Sequence, residues 1–221
     1  MWSTRHYESQ PHALPWSAVP VLVSSTVSNY TNPLCNSHHH IWLVTGPAGC
    51  GKSTIAKYIA EVLDMPYIEG DEFHPKSNID KMSNGTPLTD ADRWDWLTLL
   101  RQESIRQISS GSSGVVLTCS ALKRKYRDVI RVAPYYDHAL LLHFIYLDAP
   151  ESVILERVRA RQNHYMSYGM VHSQFDILEP PASDENDIIS VDSTKSLEEV
   201  KKDALSQSLT IILHNLGIES D

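Results

Sequence analysis

Gly46-Pro47-Ala48-Gly49-Cys50-Gly51-Lys52-Ser53 follows the spacing G-x-x-x-x-G-K-[ST], and its flanks are the ones that spacing needs. Ile41-Trp42-Leu43-Val44 before it reads as a short buried strand, and Ser53 to Leu63 after it as an amphipathic helix. Strand, glycine-rich loop and helix N-terminus together make an anion cradle, with backbone N–H groups and the helix dipole directed at phosphate. Gly46, Gly49 and Gly51 let the backbone wrap closely without Cβ clashes. Lys52 is placed to reach the β- and γ-phosphates and the Ser53 hydroxyl to bind Mg²⁺. The stretch from Gly46 through Cys50 to Thr54 is therefore expected to hold a nucleoside triphosphate.

Outward from this loop, the pattern alternates strand and helix. Strands are expected at Pro66–Glu69, Val115–Cys119, Leu140–Leu147 and Ile188–Val191. Helices are expected at Asp90–Ser109 with Thr89 as N-cap, at Ala121–Arg131, and at Leu197–Leu216. With the first strand this makes an α/β fold, a five-stranded parallel sheet flanked by crossover helices, whose site lies beyond the carboxyl ends of the strands. Residues 1–39 lack clear periodicity and read as a flexible extension before a single domain over residues 40–221. The His38-His39-His40 run at their end is read as incidental rather than as a metal site.

The 221 residues carry 19 Lys and Arg against 27 Asp and Glu, a net charge of −8, which argues against a general nucleic-acid binder. Three cysteines with no close pair fit a reducing compartment. No apolar run approaches the ~20 residues of a membrane span, and Ala18–Val23, broken by Pro20, is a poor signal core. The expected location is cytoplasmic, with no membrane partner. A homodimer is compatible with the sequence, which does not itself fix the oligomeric state.

Four constellations carry chemistry. Glu69-Gly70-Asp71 leaves the second strand with two acids beside the phosphate loop: Asp71 is suited to accept a proton from a substrate hydroxyl, Glu69 to hold a water on Mg²⁺. His74 either bonds substrate or caps the turn before Pro75. Lys81 and Arg93 are candidate anion binders, although Arg93 is equally spaced to pair with Asp90 or Asp92 on a helix surface. Ser120 and Lys123 are the residues best placed to reach the cleft from the third strand, the other cations of the Lys123–Arg127 run being partly solvated. Arg157 and Arg161, one turn apart, suit a lid that offsets transition-state charge, or else surface pairs with Glu151 and Glu156.

Taken in order, the phosphate loop, Gly70–Pro75, Asn78–Met82, Gly85–Arg93, Trp96-Leu97, Cys119–Asp128, Phe144–Leu147 and Ser173-Gln174-Phe175 resemble the gluconate kinase family of P-loop kinases over residues 41 to about 217. The resemblance implies a P-loop NTPase fold with a mobile helical lid. It also implies ATP- and Mg²⁺-dependent transfer of phosphate to the 6-hydroxyl of D-gluconate, giving 6-phosphogluconate for the pentose phosphate pathway. On the matching positions it implies that Asp71 activates the 6-hydroxyl, and that Arg93, with His74, Lys81, Ser120 and Lys123, forms the gluconate pocket. Arg157 and Arg161 match the lid and adenine-side arginines, Arg157 with a catalytic role beside Lys52, and His164 the lid histidine. The alternatives are another P-loop kinase, for shikimate, adenylylsulfate or a nucleotide, or a non-catalytic nucleotide switch. Against the switch, no Asn-Lys-x-Asp guanine motif occurs.

Overall fold

Ile41 and Leu43 face one side of the central strand and Trp42 and Val44 the other, and all four are fully buried, so this strand has a helix layer on each face. In a computed structural model of the protein, residues 38–160, 168–218 are described, all within the compact unit Asn36–Asp221. The sheet is parallel throughout, in the order β2-β3-β1-β4-β5. Its strands are β1 (His39–Thr45), β2 (Tyr67–Ile68), β3 (Gly114–Thr118), β4 (Leu140–Asp148) and β5 (Ile188–Asp192).

One face is covered by α1 (Lys52–Leu63), α5 (Glu151–Ala160), α6 (Tyr168–Asp176) and α7 (Leu197–Asn215), which bring Ile55, Ile59, Ile154, Val171, Val200 and Ile212 against Val116, Ile145 and Val191. The other is covered by α3 (Ala91–Ser109) and α4 (Arg124–Arg131), which bring Trp96, Leu97, Leu100, Tyr126 and Ile130 against Val115, Leu117 and Phe144. Each fully buried aliphatic side chain contributes about 1.5–3 kcal/mol relative to exposure. The short α2 (Lys76–Ser83) joins the β2 end to α3. Among the described residues no helix is long and apolar enough to cross a membrane.

One helix start agrees with expectation and one differs. Asp90 already has helical dihedrals (φ −59°, ψ −42°), and Thr89 caps: its hydroxyl accepts from Asp92 N at 3.4 Å while its own N–H donates to the Asp92 carboxylate at 2.8 Å. The helix expected from Ala121 begins instead at Arg124, because Cys119, Ala121 and Leu122 dip into the core and Ala121 takes a left-handed φ of 36°. The Glu179 carboxylate receives the Arg124 N–H at 2.7 Å and so closes the delayed helix end from 55 residues away.

Candidate active site

The loop after β1 is held by shape as well as by dihedral angle. Gly46, Gly49 and Gly51 all have positive φ (135°, 90° and 105°). A Cβ on Gly46 would also lie 2.9 Å from Cys50 Sγ and 3.0 Å from the Leu147 carbonyl. Thr45 anchors the approach by donating to the Ser120 carbonyl at 2.6 Å. No side chain caps α1 and no acid lies in its first turn, which leaves its terminal N–H groups for an anion. Lys52 lies along the loop, donating to the Gly46 and Pro47 carbonyls at 2.9 and 3.0 Å. Burial raises the pKa of the Cys50 thiol, so this residue stays an uncharged part of the cradle.

Glu69 stands beside the loop. Its carboxylate accepts from Thr118 and Tyr67, and Ser53 and Lys52 lie within its electrostatic reach. Burial alone would raise its pKa, but the hydrogen bonds from Thr118, Tyr67 and Ser53 outweigh it and hold the group ionised. A hydroxyl and a carboxylate side by side at a phosphate cradle form an all-oxygen donor set that fits Mg²⁺.

Beyond Glu69 the backbone is gripped from three sides. Gly70 N donates to Thr118 Oγ1 at 3.0 Å, and Gly70 O accepts from Trp96 Nε1 at 2.8 Å. A Cβ here would sit 1.9 Å from the Thr118 carbonyl oxygen. The turn that follows, Gly70–Phe73, exposes Asp71 at the mouth of a cleft of about 250 Å³. Lys52, Asp71, His74, Arg93, Trp96 and Ser120 line it, facing Ala48 of the phosphate loop and Met170, Ser173 and Gln174 of α6. His74 stacks on Trp96 with centroids 4.0 Å apart, and burial keeps it neutral by lowering its pKa, assisted by Arg93 and opposed by Asp71. Of the tryptophan pair in α3, Trp96 is the buried one, whereas Trp94 is partly exposed and meets the Tyr126 ring edge-on.

Arg93 pairs with neither Asp90 nor Asp92. Its guanidinium donates to the Leu88 and Thr89 carbonyls and to Tyr126 Oη, and no carboxylate among the described residues neutralises it. The two aspartates take other cations. Asp92 pairs with Lys81 at 2.6 Å, and Asp90 binds Lys123 at 3.2 Å together with Lys125 and Tyr126. Lys81 and Lys123, expected in the pocket, therefore do not line it: each is held by an aspartate at the base of α3. Of the other cations in the run, Arg124 and Lys125 are exposed, as expected, and Arg127 is not. Arg124 pairs with Asp184, and the buried Arg127 makes a bidentate bond to Glu185 at 2.8 and 2.7 Å.

A second pocket of about 370 Å³ lies on the other side of the loop, lined by Gly49, Cys50, Gly51, Thr54, Arg157, Ser193 and Lys195. Arg157 donates to the Ser193 carbonyl at 2.6 Å instead of pairing with Glu151 or Glu156. Arg161 and His164 lie outside the described residues. Ser193 and Lys195 escaped the sequence reading, although the signal was there: they follow the carboxyl end of β5, where such sheets bind ligands. Gln174, quoted above only within a block, also reaches the loop, accepting from Ala48 N at 2.7 Å.

A family model described as an AAA domain matches residues 41–176. A probable gluconokinase of Schizosaccharomyces pombe is 45% identical over 175 residues, 79% of this chain and 90% of that protein. The thermosensitive gluconokinase of Escherichia coli is 36% identical over 170 residues, 77% of this chain and 88% of its own length. Among solved structures, a gluconokinase from Sinorhizobium meliloti superposes with a TM-score of 0.70 at 39% identity, covering 82% of this chain and 98% of that one.

Proposed function

From the premise that the chain belongs to the gluconokinase family of P-loop kinases, and so phosphorylates an alcohol group of gluconate with ATP, we propose how its residues divide the work. The single observation that carries this division is the cleft in which Lys52 of the donor loop faces Asp71 and an Arg93 that has no carboxylate partner among the described residues. Gluconate is a polyol with one carboxylate. Arg93 receives the carboxylate, since a guanidinium fork suits it and no protein acid competes. His74 and Ser120 bond hydroxyls along the chain. The 6-hydroxyl then lies at Asp71, beside the γ-phosphate.

Asp71 takes the proton of that hydroxyl as its oxygen bonds to the γ-phosphorus and the bond from γ-phosphorus to the β–γ bridging oxygen breaks. The products are 6-phosphogluconate and ADP. Lys52 and the loop amides stabilise charge on the phosphoryl oxygens. Ser53, and Glu69 through a water, would hold Mg²⁺, which would supply charge neutralisation at the phosphates. Arg157, with Ser193 and Lys195, takes the nucleoside side, and Arg161 and His164 are assigned to a lid. The buried unpaired thiols Cys50 and Cys119 support a reducing, cytoplasmic setting.

An acceptor screen tests the assignment. ADP release is followed with D-gluconate, shikimate, adenylylsulfate and nucleoside monophosphates, and the phosphorylated product is identified. Turnover with gluconate alone is expected. Turnover with another acceptor and none with gluconate would overturn the acceptor.

A further inference from the structure

The cleft has one wall that the division above leaves without a role. Met170, Ser173, Gln174 and Ile177 line it at the spacing of a single helix face, opposite Asp71 and Arg93. Among the described residues, the hydrogen bond that joins that wall to the donor loop is the one at Gln174. Its Oε1 accepts from Ala48 N at 2.7 Å, across 126 residues of sequence. An amide N–H can only donate, so this contact fixes which end of the carboxamide faces the loop. The remaining polar atom is Nε2, which carries two donors and no acceptor, and no described residue pairs with it. Polyol hydroxyls and phosphoryl oxygens are the acceptors such a group needs. Both would meet at this point, since Lys52, Asp71 and Gln174 line the same cleft.

We propose that Gln174 is a positioning residue for the transfer, its carbonyl clamped on the Ala48 N–H so that its amide donors hold the acceptor in line with the donor phosphate. This rests on the gluconate reading above. It adds a group that links the two half-sites: the acceptor wall is registered to the phosphate loop rather than built independently of it. A hydroxyl held in this way competes with water for the phosphoryl group, because a near-attack geometry is worth far more than a freely tumbling nucleophile.

The test uses the full chain and two variants. Gln174→Ala removes both contacts. Gln174→Glu keeps an acceptor for Ala48 N–H but loses the donors. For Gln174→Ala, kcat/KM for gluconate is expected to fall roughly 10- to 100-fold, as misplacement of a reacting group does, with KM for ATP within about 2-fold. ADP released per phosphogluconate formed should rise above one. Gln174→Glu should lose at least as much gluconate turnover, with its melting temperature retained. Wild-type behaviour of Gln174→Glu would reduce the residue to a tether and overturn the proposal, as would unchanged gluconate kinetics in Gln174→Ala or a loss confined to ATP KM. Wild-type enzyme is measured first: if it does not turn over gluconate, the acceptor assignment fails, whereas normal wild-type turnover with unaffected variants sinks only the role of Gln174.

Discussion

Asp71 and Arg93 face one cleft, and kinetics separates the different tasks proposed for them. Asp71→Asn keeps the shape and removes the proton acceptor, so kcat should fall roughly 10²- to 10⁴-fold with KM for ATP little changed. A rise in ATP KM instead would move Asp71 into donor binding. Arg93→Ala removes a charge-assisted contact of about 1.5–3 kcal/mol, and its main effect should be a higher KM for gluconate; an unchanged KM would take the carboxylate elsewhere. Gly70 bears on the same site from the backbone. With the Thr118 carbonyl 1.9 Å from its virtual Cβ, Gly70→Ala must push the β2 end off β3. A destabilisation of about 1–3 kcal/mol is expected from such overpacking, read by urea denaturation, together with reduced turnover because Asp71 is the next residue. Wild-type stability would show that the strand end yields freely.

At the scale of elements, α4 is fastened by charge more than by grease. Arg127 is buried against Glu185, and Arg131 extends the pairing to Glu185 at 2.6 Å and Asp187 at 2.8 Å. Arg127 and the other donors hold the Glu185 carboxyl down at about 2 against opposing burial. Breaking a buried pair from one side typically costs about 3–5 kcal/mol, so Glu185→Gln or Arg127→Met should lower the unfolding free energy by that much, read by urea denaturation. Replacing both by apolar residues should recover part of the loss, and equal losses in single and double variants would show that packing alone matters. These pairs also mark what was legible in the sequence. The loop, the succession of strands and helices along the chain and the acidic strand end could be read because each is local. That Lys81 and Lys123 serve aspartates and that Gln174 meets Ala48 depend on partners 11 to 126 residues away. A local pattern carries no such distances. The late start of α4 was hidden likewise, since its cap is Glu179.

Across the whole molecule, the sheet carries a second charge-sensitive spot far from the chemistry. His40 of β1 and His143 of β4 share a hydrogen bond of 3.1 Å and lie against the buried Trp42 ring. Burial pushes both down to about 4, with neighbouring histidines adding to the effect at His40 and Asp187 opposing it at His143. In the unfolded chain each would titrate near 6.5. Between these values the unfolded state binds more protons, so stability from this pair is full above about pH 6.5 and is lost as pH falls toward 4. Denaturation midpoints measured from pH 7.5 to 4.5 should fall, and His143→Phe should flatten the slope. A slope unchanged by that substitution would place the acid sensitivity elsewhere.

The central β1 also divides the molecule's labour along the chain. The pocket proposed for the nucleoside, on one side of its loop, draws on Arg157, Ser193 and Lys195, late in the chain, while Asp71, His74, Arg93 and Ser120 on the other side come from the middle. The two sets share only the loop between them. A change at Asp71, His74, Arg93 or Ser120 need not disturb the nucleotide side, whereas one at Gln174, which holds Ala48, reaches the loop itself. Substitutions among those middle-chain residues can therefore alter the alcohol accepted and leave the phosphate donor in place, the loop being common to both.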